Sequence, residues 1–141
     1  MSDEAQIRAS LQINSGNLSY QSQPTAFNAD VAGSKGPVPG AFAATVEGTD
    51  IDLSELTTPG LCRVQNLDDT NFVTVGVWDV SATEFYPLLE LLPGETFVFR
   101  LSRHVGAEVE APGTGTYAGA TNLRVRADTA ACNVLVEAFE V

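Results

Sequence analysis

The residues that could do chemistry are few. The chain holds one histidine, His104, and two cysteines, Cys62 and Cys132. A Ser/His/Asp or Cys/His catalytic set would have to run through His104, and no nucleophile-elbow pattern surrounds it. His104 therefore reads as a solvated loop residue. One histidine and two widely separated cysteines also cannot build a zinc tetrahedron. Carboxylates are more plentiful. Asp50 and Asp52 would share one face of an extended segment, about 7 Å apart, and Asp68-Asp69 sit in a turn. Calcium wants about six to eight oxygens, and no D-x-D-x-D-G spacing is present, so these read as solvated acidic loops. A glycosidase needs two carboxylates across a cleft, but 18 acids contain such a pair by chance. Gly113-Thr114-Gly115 lacks the lysine and following helix of a phosphate loop. No catalytic, cofactor-binding or metal-ligating residue is assigned.

Exposed aromatic rings are the stacking platforms of sugar-binding sandwiches. Trp78, Tyr86, Tyr20 and Tyr117 are the candidates. Trp78 ends a valine-rich run, which places it at a core or interface edge. Six of the seven bases are arginine, and Lys35 is the sole lysine. The planar guanidinium pairs with carboxylates at two points, which suits subunit contacts. Arg8, Arg63, Arg100, Arg103, Trp78 and Lys35 are the expected interface residues.

Acids outnumber bases 18 to 7, for a net charge of −11. Nucleic-acid binding needs a basic footprint that displaces phosphate counterions, and none is present. An anionic membrane surface is disfavoured for the same reason. No apolar run approaches the ~20 residues of a membrane helix. The acidic start Met1-Ser2-Asp3-Glu4 reads as no signal peptide, so a cytoplasmic site of synthesis is expected. Two cysteines in that compartment are expected as free, buried thiols.

These residues must be positioned by strands. At 141 residues, 44% hydrophobic and 18% charged, the chain is expected to fold as one domain with a real core. Residues 5–13 alternate strictly, predicting a half-buried strand with Gln6, Arg8, Ser10 and Gln12 outward. Asn14-Ser15-Gly16-Asn17 is a turn leading to a second strand at Leu18. Residues 21–41 are rich in Gly, Pro, Ser and Asn and are expected to be a long loop or arm. Four extended runs then fill residues 60–102. Cys62 and Val64 share a face, as do Val73, Val75 and Val77. Phe85, Pro87, Leu89 and Leu91 alternate, and Phe97, Phe99 and Leu101 line a core face. Asn66-Leu67-Asp68-Asp69-Thr70-Asn71 is a hairpin connection, and Pro93-Gly94 is a turn. Residues 123–126 and 133–139 supply closing strands. Some nine or ten short strands and no capped amphipathic helix predict an all-β antiparallel sandwich, jelly-roll or immunoglobulin-like.

The stretch PGLCRVQNLDDTNFVTVGVWD, followed by FYPLLELLPGETFVFRLS, resembles small β-sandwich structural proteins of tailed bacteriophage particles. The residues that carry the resemblance are Asn66, Leu67, Asp68, Thr70, Asn71, Val73, Val75, Gly76, Pro93, Gly94, Glu95, Arg100 and Leu101. It covers residues 60–102 and, more loosely, 123–139; the first third of the chain lies outside it. The resemblance implies a non-enzymatic virion protein, made in the host cytoplasm and built into a symmetric particle. A capsid decoration (cement) protein would bind the major capsid protein as a homotrimer at three-fold positions. A tail, collar or fibre component is the alternative within that class. A carbohydrate-binding module is the alternative outside it.

Overall fold

The computed structural model describes residues 5–31, 35–102, 110–111, 115–116 and 121–140. They form fourteen strands. The first four are β1 (Ala5–Ala9), β2 (Gln12–Ser15), β3 (Leu18–Gln21) and β4 (Thr25–Ala29). Then come β5 (Val38–Ala44), β6 (Thr49–Asp50), β7 (Pro59–Asn66), β8 (Val73–Asp79), β9 (Glu84–Leu91) and β10 (Thr96–Arg100). A two-strand pairing of β11 (Glu110–Ala111) with β12 (Gly115–Thr116) precedes β13 (Thr121–Ala127) and β14 (Cys132–Glu140). The chain divides into two compact units, one holding the described residues 5–31 and the other Lys35–Glu140.

The larger unit contains two antiparallel four-stranded sheets, ordered β10-β7-β14-β5 and β6-β13-β8-β9. The sequence-consecutive pairs β5 and β6, β7 and β8, β9 and β10, and β13 and β14 each place one strand in either sheet. The chain therefore crosses from sheet to sheet at each of these steps. Eight strands in this order make a jelly roll, which decides between the two expected sandwich topologies.

The core lies between the sheets. Cys62, Val64, Val134, Val136 and Ala138 come from one; Val73, Val75, Leu91, Leu123 and Val125 come from the other. β14 alternates buried and less buried residues along its length, because successive side chains of a strand leave opposite faces. Ile51, Leu56 and Leu101 add apolar surface from outside the central strands. Glu140 accepts a hydrogen bond from the Thr57 backbone N–H at 2.6 Å, which fixes the segment between β6 and β7.

Two expectations need correction. Residues 21–41 are not one loop, since β4 and the start of β5 lie within them. β4 holds a single large apolar residue, Phe27, and its ladder to β1 is what makes it a strand. The alternation Phe85, Pro87, Leu89, Leu91 also fails to run on one face. Val75 pairs with Leu89 and Gly76 with Pro87, so Leu88 is an extra residue in a bulge. A bulge re-aims the residues beyond it, and Phe85 lies opposite Trp78 on the outer face, away from the core-facing Val73 and Val75.

Candidate interaction surfaces

The outer face of β6-β13-β8-β9 gathers a constellation of polar and aromatic side chains. Asn122, Arg124 and Arg126 project from β13 beside Trp78, Gly76 and Thr74 of β8. Arg124 donates from Nε to Asp50 Oδ1 at 2.5 Å, and Asn122 Nδ2 donates to Asp50 Oδ2 at 3.1 Å. Arg124 also lies over the Trp78 ring, 4.0 Å from its centroid, and Arg126 over Phe85 at 5.5 Å. Trp78 is half-buried with Arg124 on one ring face. An open depression of about 330 Å³, lined by Phe72, Thr74, Phe85, Pro87, Arg126 and Asp128, lies on this unit. The polar groups here bind one another: both Asp50 oxygens are engaged, and Arg126 Nε donates to the Val46 carbonyl at 3.2 Å.

The N-L-D-D-T-N turn has a structural purpose. Asn66 is fully buried. Its Nδ2 donates to the carbonyls of Asn71 and Leu91, at 2.9 and 3.1 Å, and its Oδ1 accepts from the Asp68 N–H at 2.9 Å. Asp68 Oδ1 accepts from the backbone N–H groups of Asn71 and Thr70, at 2.7 and 2.8 Å. Those donors, Asn71 first, hold the Asp68 carboxyl below its ordinary pKa. The turn residues thus tie β7, β8 and β9 together.

Both cysteines are free and buried. Burial pushes the Cys62 thiol up to about 12. Cys132 is also raised, by burial first and then by the nearby Asp68 charge. A thiol held in its neutral form is a poor nucleophile. Among the described residues no three His, Cys, Asp or Glu side chains cluster to hold a metal ion.

The smaller unit offers a different surface. β1 pairs with β4, and β2 with β3, making one antiparallel ribbon over residues 5–29. Its tip is a two-residue loop in which Gly16, with φ of +55°, takes the position where a II′ hairpin uses glycine. Cross-strand partners share a face. Ile7 faces Phe27, Ile13 faces Tyr20, and Ser15 faces Leu18. Between the halves Leu11 pairs with Ser22, each backbone N–H of the pair being bonded across the ribbon at 2.8 Å. The register there shifts by one on the returning strand, which keeps Phe27 in phase with Leu18 and Tyr20. One face is thus apolar, with Ile7, Leu11, Ile13, Leu18, Tyr20 and Phe27. The other carries Gln6, Arg8, Gln12, Asn14, Ser19 and Gln21.

That apolar face is open. Leu11, Leu18, Tyr20 and Phe27 are each more than half exposed. The sequence pattern of residues 5–13 is indeed a strand pattern, but the expected half-burial does not occur at Leu11 and Ile13. A strand pattern states which residues share a face; what covers that face is a separate matter. Tyr20, expected as an exposed aromatic ring, is 52% exposed; Leu18 and Phe27, which share its face, carry no such expectation from sequence. The signal for them was charge: residues 5–29 hold one charged side chain, Arg8.

Five of the six expected interface residues are described, and each is placed by its own unit and element. Arg8 is exposed on the ribbon's polar face, and Lys35 is exposed at the start of the larger unit. Arg63 is engaged within its own sheet, by Glu137 at 2.5 Å and by Gln65 at 2.9 Å. Arg100 is exposed at the end of β10. Trp78 lies under the guanidinium of Arg124, a residue the interface expectation leaves out. Arg103, His104 and Tyr117 lie outside the described residues. Comparison with protein-family models, with curated proteins and with solved structures gives no match.

Proposed function

We propose that this chain is a non-enzymatic structural subunit of a tailed-phage particle, a capsid decoration protein that self-associates as a trimer and binds the assembled head. The observation that carries this reading is the ribbon's open apolar face. A two-stranded ribbon is marginal by itself in water, and a contiguous exposed apolar face marks a surface meant to be covered. The jelly roll is a fold used by viral capsid domains, although fold alone does not assign function. The acidic surface fits a shell protein that must not compete for the packaged genome. A protein that binds only the assembled shell stabilises it by mass action, and several weak contacts per oligomer add through effective concentration.

A second reading rests on the outer face of β6-β13-β8-β9. Jelly rolls also serve lectins, and Trp78, Asp50, Asn122 and Arg124 are residue types that bind sugars. The internal engagement of Asp50 and the cover of Arg124 over Trp78 count against it.

Quantitative mass spectrometry of purified particles tests the leading reading. A copy number matching the capsid lattice supports decoration. A handful per particle moves the protein to tail, collar or fibre. Absence from particles overturns the reading, and glycan-dependent quenching of Trp78 emission would then favour the sugar-binding alternative.

A further inference from the structure

The open depression in the larger unit is separate from the Trp78 contact, and its polar groups are not spent on one another. Phe72, Thr74, Phe85, Pro87, Arg126 and Asp128 line a volume of about 330 Å³. Thr74 of β8 lies directly opposite Arg126 of β13, and Asp128 follows just past the end of β13. Among the described residues, no hydrogen bond engages the Thr74 hydroxyl, the Asp128 carboxylate or the two Nη groups of Arg126, and neither charge is ion-paired.

The walls are held in place before any ligand arrives. Arg126 is anchored through Nε to the Val46 carbonyl at 3.2 Å. Phe85 packs against Gly76, where a Cβ would come within 2.8 Å of its Cζ. Asp128 donates its backbone N–H to the Phe72 carbonyl at 3.2 Å. Groups fixed in advance cost less to order on binding.

The geometry points to a binding site for a neutral saccharide. Apolar walls with a few convergent polar groups are the make-up of a small-molecule site, and about 300 Å³ is the small end of the range. A guanidinium only donates and a carboxylate only accepts, whereas a hydroxyl does both. Neighbouring hydroxyls of one sugar ring therefore satisfy Arg126 and Asp128 together, with Thr74 able to give or take. Phe72, Phe85 and Pro87 offer apolar surface to the C–H face of the ring.

Charge selects a neutral ligand. An anion drawn to Arg126 meets the Asp128 carboxylate, and Glu90, exposed and opposite Thr74, adds another. A cation drawn to those carboxylates meets Arg126, whose guanidinium already lies 5.5 Å from the centre of the Phe85 ring, where a ligand cation would sit. Like charges brought together oppose binding in both cases. The site neither rests on the virion reading nor uses Trp78, which does not line the depression.

The test is a titration of the full-length protein, isotope-labelled at nitrogen and followed by its backbone amide resonances. The probes are the methyl glycosides of glucose, galactose, mannose and N-acetylglucosamine, each taken to about 50 mM because one open site is expected to bind at about millimolar strength. Methyl glucuronide and glucosamine are the charged controls. At least one neutral probe is expected to shift the amides of Thr74, Phe85 and Arg126 saturably and to leave Ile13 and Tyr20 of the ribbon unmoved. Arg126→Gln and Asp128→Ala are each expected to weaken that binding about tenfold or more, and circular dichroism checks their fold. Should either misfold, Thr74→Val makes the same test by removing one hydroxyl. No saturable shift with any neutral probe, shifts centred elsewhere, or variants that bind as wild type does overturn the site. Tighter binding of a charged control than of every neutral probe overturns the neutral-ligand assignment. A chain stoichiometric in particles that binds none of these probes overturns the site and leaves the virion reading standing. A chain that binds them but is missing from particles does the reverse.

Discussion

The guanidinium carbon of Arg124 lies 4.0 Å from the centre of the Trp78 ring, and the same side chain is ion-paired to Asp50. Arg124 and Trp78 sit on neighbouring strands, two residues out of direct register on the same face, with Arg124 opposite Gly76 and Asn122 opposite Trp78. The contact fixes a half-exposed tryptophan on a solvent face and ties β6 to β13 and β8.

Removing it should be visible in the light Trp78 emits. It is the only tryptophan, so fluorescence reports this one site. Arg124→Ala is expected to shift the emission to the red and to raise acrylamide quenching. Stability should fall by about 1 kcal/mol, the scale of one cation–π contact and a partly exposed ion pair. A sugar that stacked on Trp78 would have to displace Arg124, so a glycan-binding protein should bind more tightly after Arg124→Ala. A structural role predicts no glycan response in either form.

Asn66 should be among the costliest polar positions to replace. Asn66→Leu leaves the Leu91 and Asn71 carbonyls without their donor inside the molecule, and removes the acceptor of the Asp68 N–H. Each buried polar group left unpaired costs about 1–3 kcal/mol. A loss of about 2–4 kcal/mol is expected in urea unfolding. Asn71→Ala should cost much less, because Asn66 bonds to the backbone carbonyl of Asn71, which that change retains.

Much of the sandwich is legible in the sequence, and the reason is burial. Cys62 with Val64, Val73 with Val75, and the alternation through β14 are strong because both sheets pack on one core. The turn from Asn66 to Asn71 is legible because its residues bond to local backbone. Four things were hidden. Strand order depends on contacts between distant segments. The displacement of Phe85 to the outer face comes from one extra residue, Leu88, and a bulge leaves no periodic mark. The apolar ribbon face looks in sequence like any core strand, since hydrophobic alternation does not say whether the covering surface belongs to the same chain. Arg124 was passed over because its partners, Asp50 and Trp78, come from two other strands.

Gly76 carries a steric requirement that a substitution can test. A Cβ there would collide with the Tyr86 carbonyl oxygen and lie 2.8 Å from Phe85 Cζ. The glycine is needed because the β9 bulge brings that backbone and the Phe85 ring against the sheet. Gly76→Ala is expected to destabilise by about 1–3 kcal/mol, the usual cost of overpacking. Adding Phe85→Ala removes the ring but not the carbonyl. The double variant should therefore be more stable than additivity predicts, yet less stable than Phe85→Ala alone.

The acid side of the stability curve should carry the signature of Asp68. Its pKa is depressed in the folded protein, first by the Asn71 N–H and then by that of Thr70. Asp52 is depressed as well, by its hydrogen bonds with Ser54. A carboxyl whose folded pKa lies below its unfolded value, about 3.9, stabilises the fold above that value. The contribution is lost as pH falls through the folded pKa, because the unfolded chain then binds the proton first. Urea midpoints should accordingly hold steady from about pH 7 down to about pH 5 as far as these two groups are concerned, then drop toward about pH 3. Asp68→Asn keeps an oxygen that accepts from the same two N–H groups but cannot titrate. It is expected to fold, to lose some stability at neutral pH because the acceptor is no longer charged, and to fall less steeply in acid than wild type. Equal acid slopes in the two proteins would show that the turn does not hold Asp68 as its geometry implies.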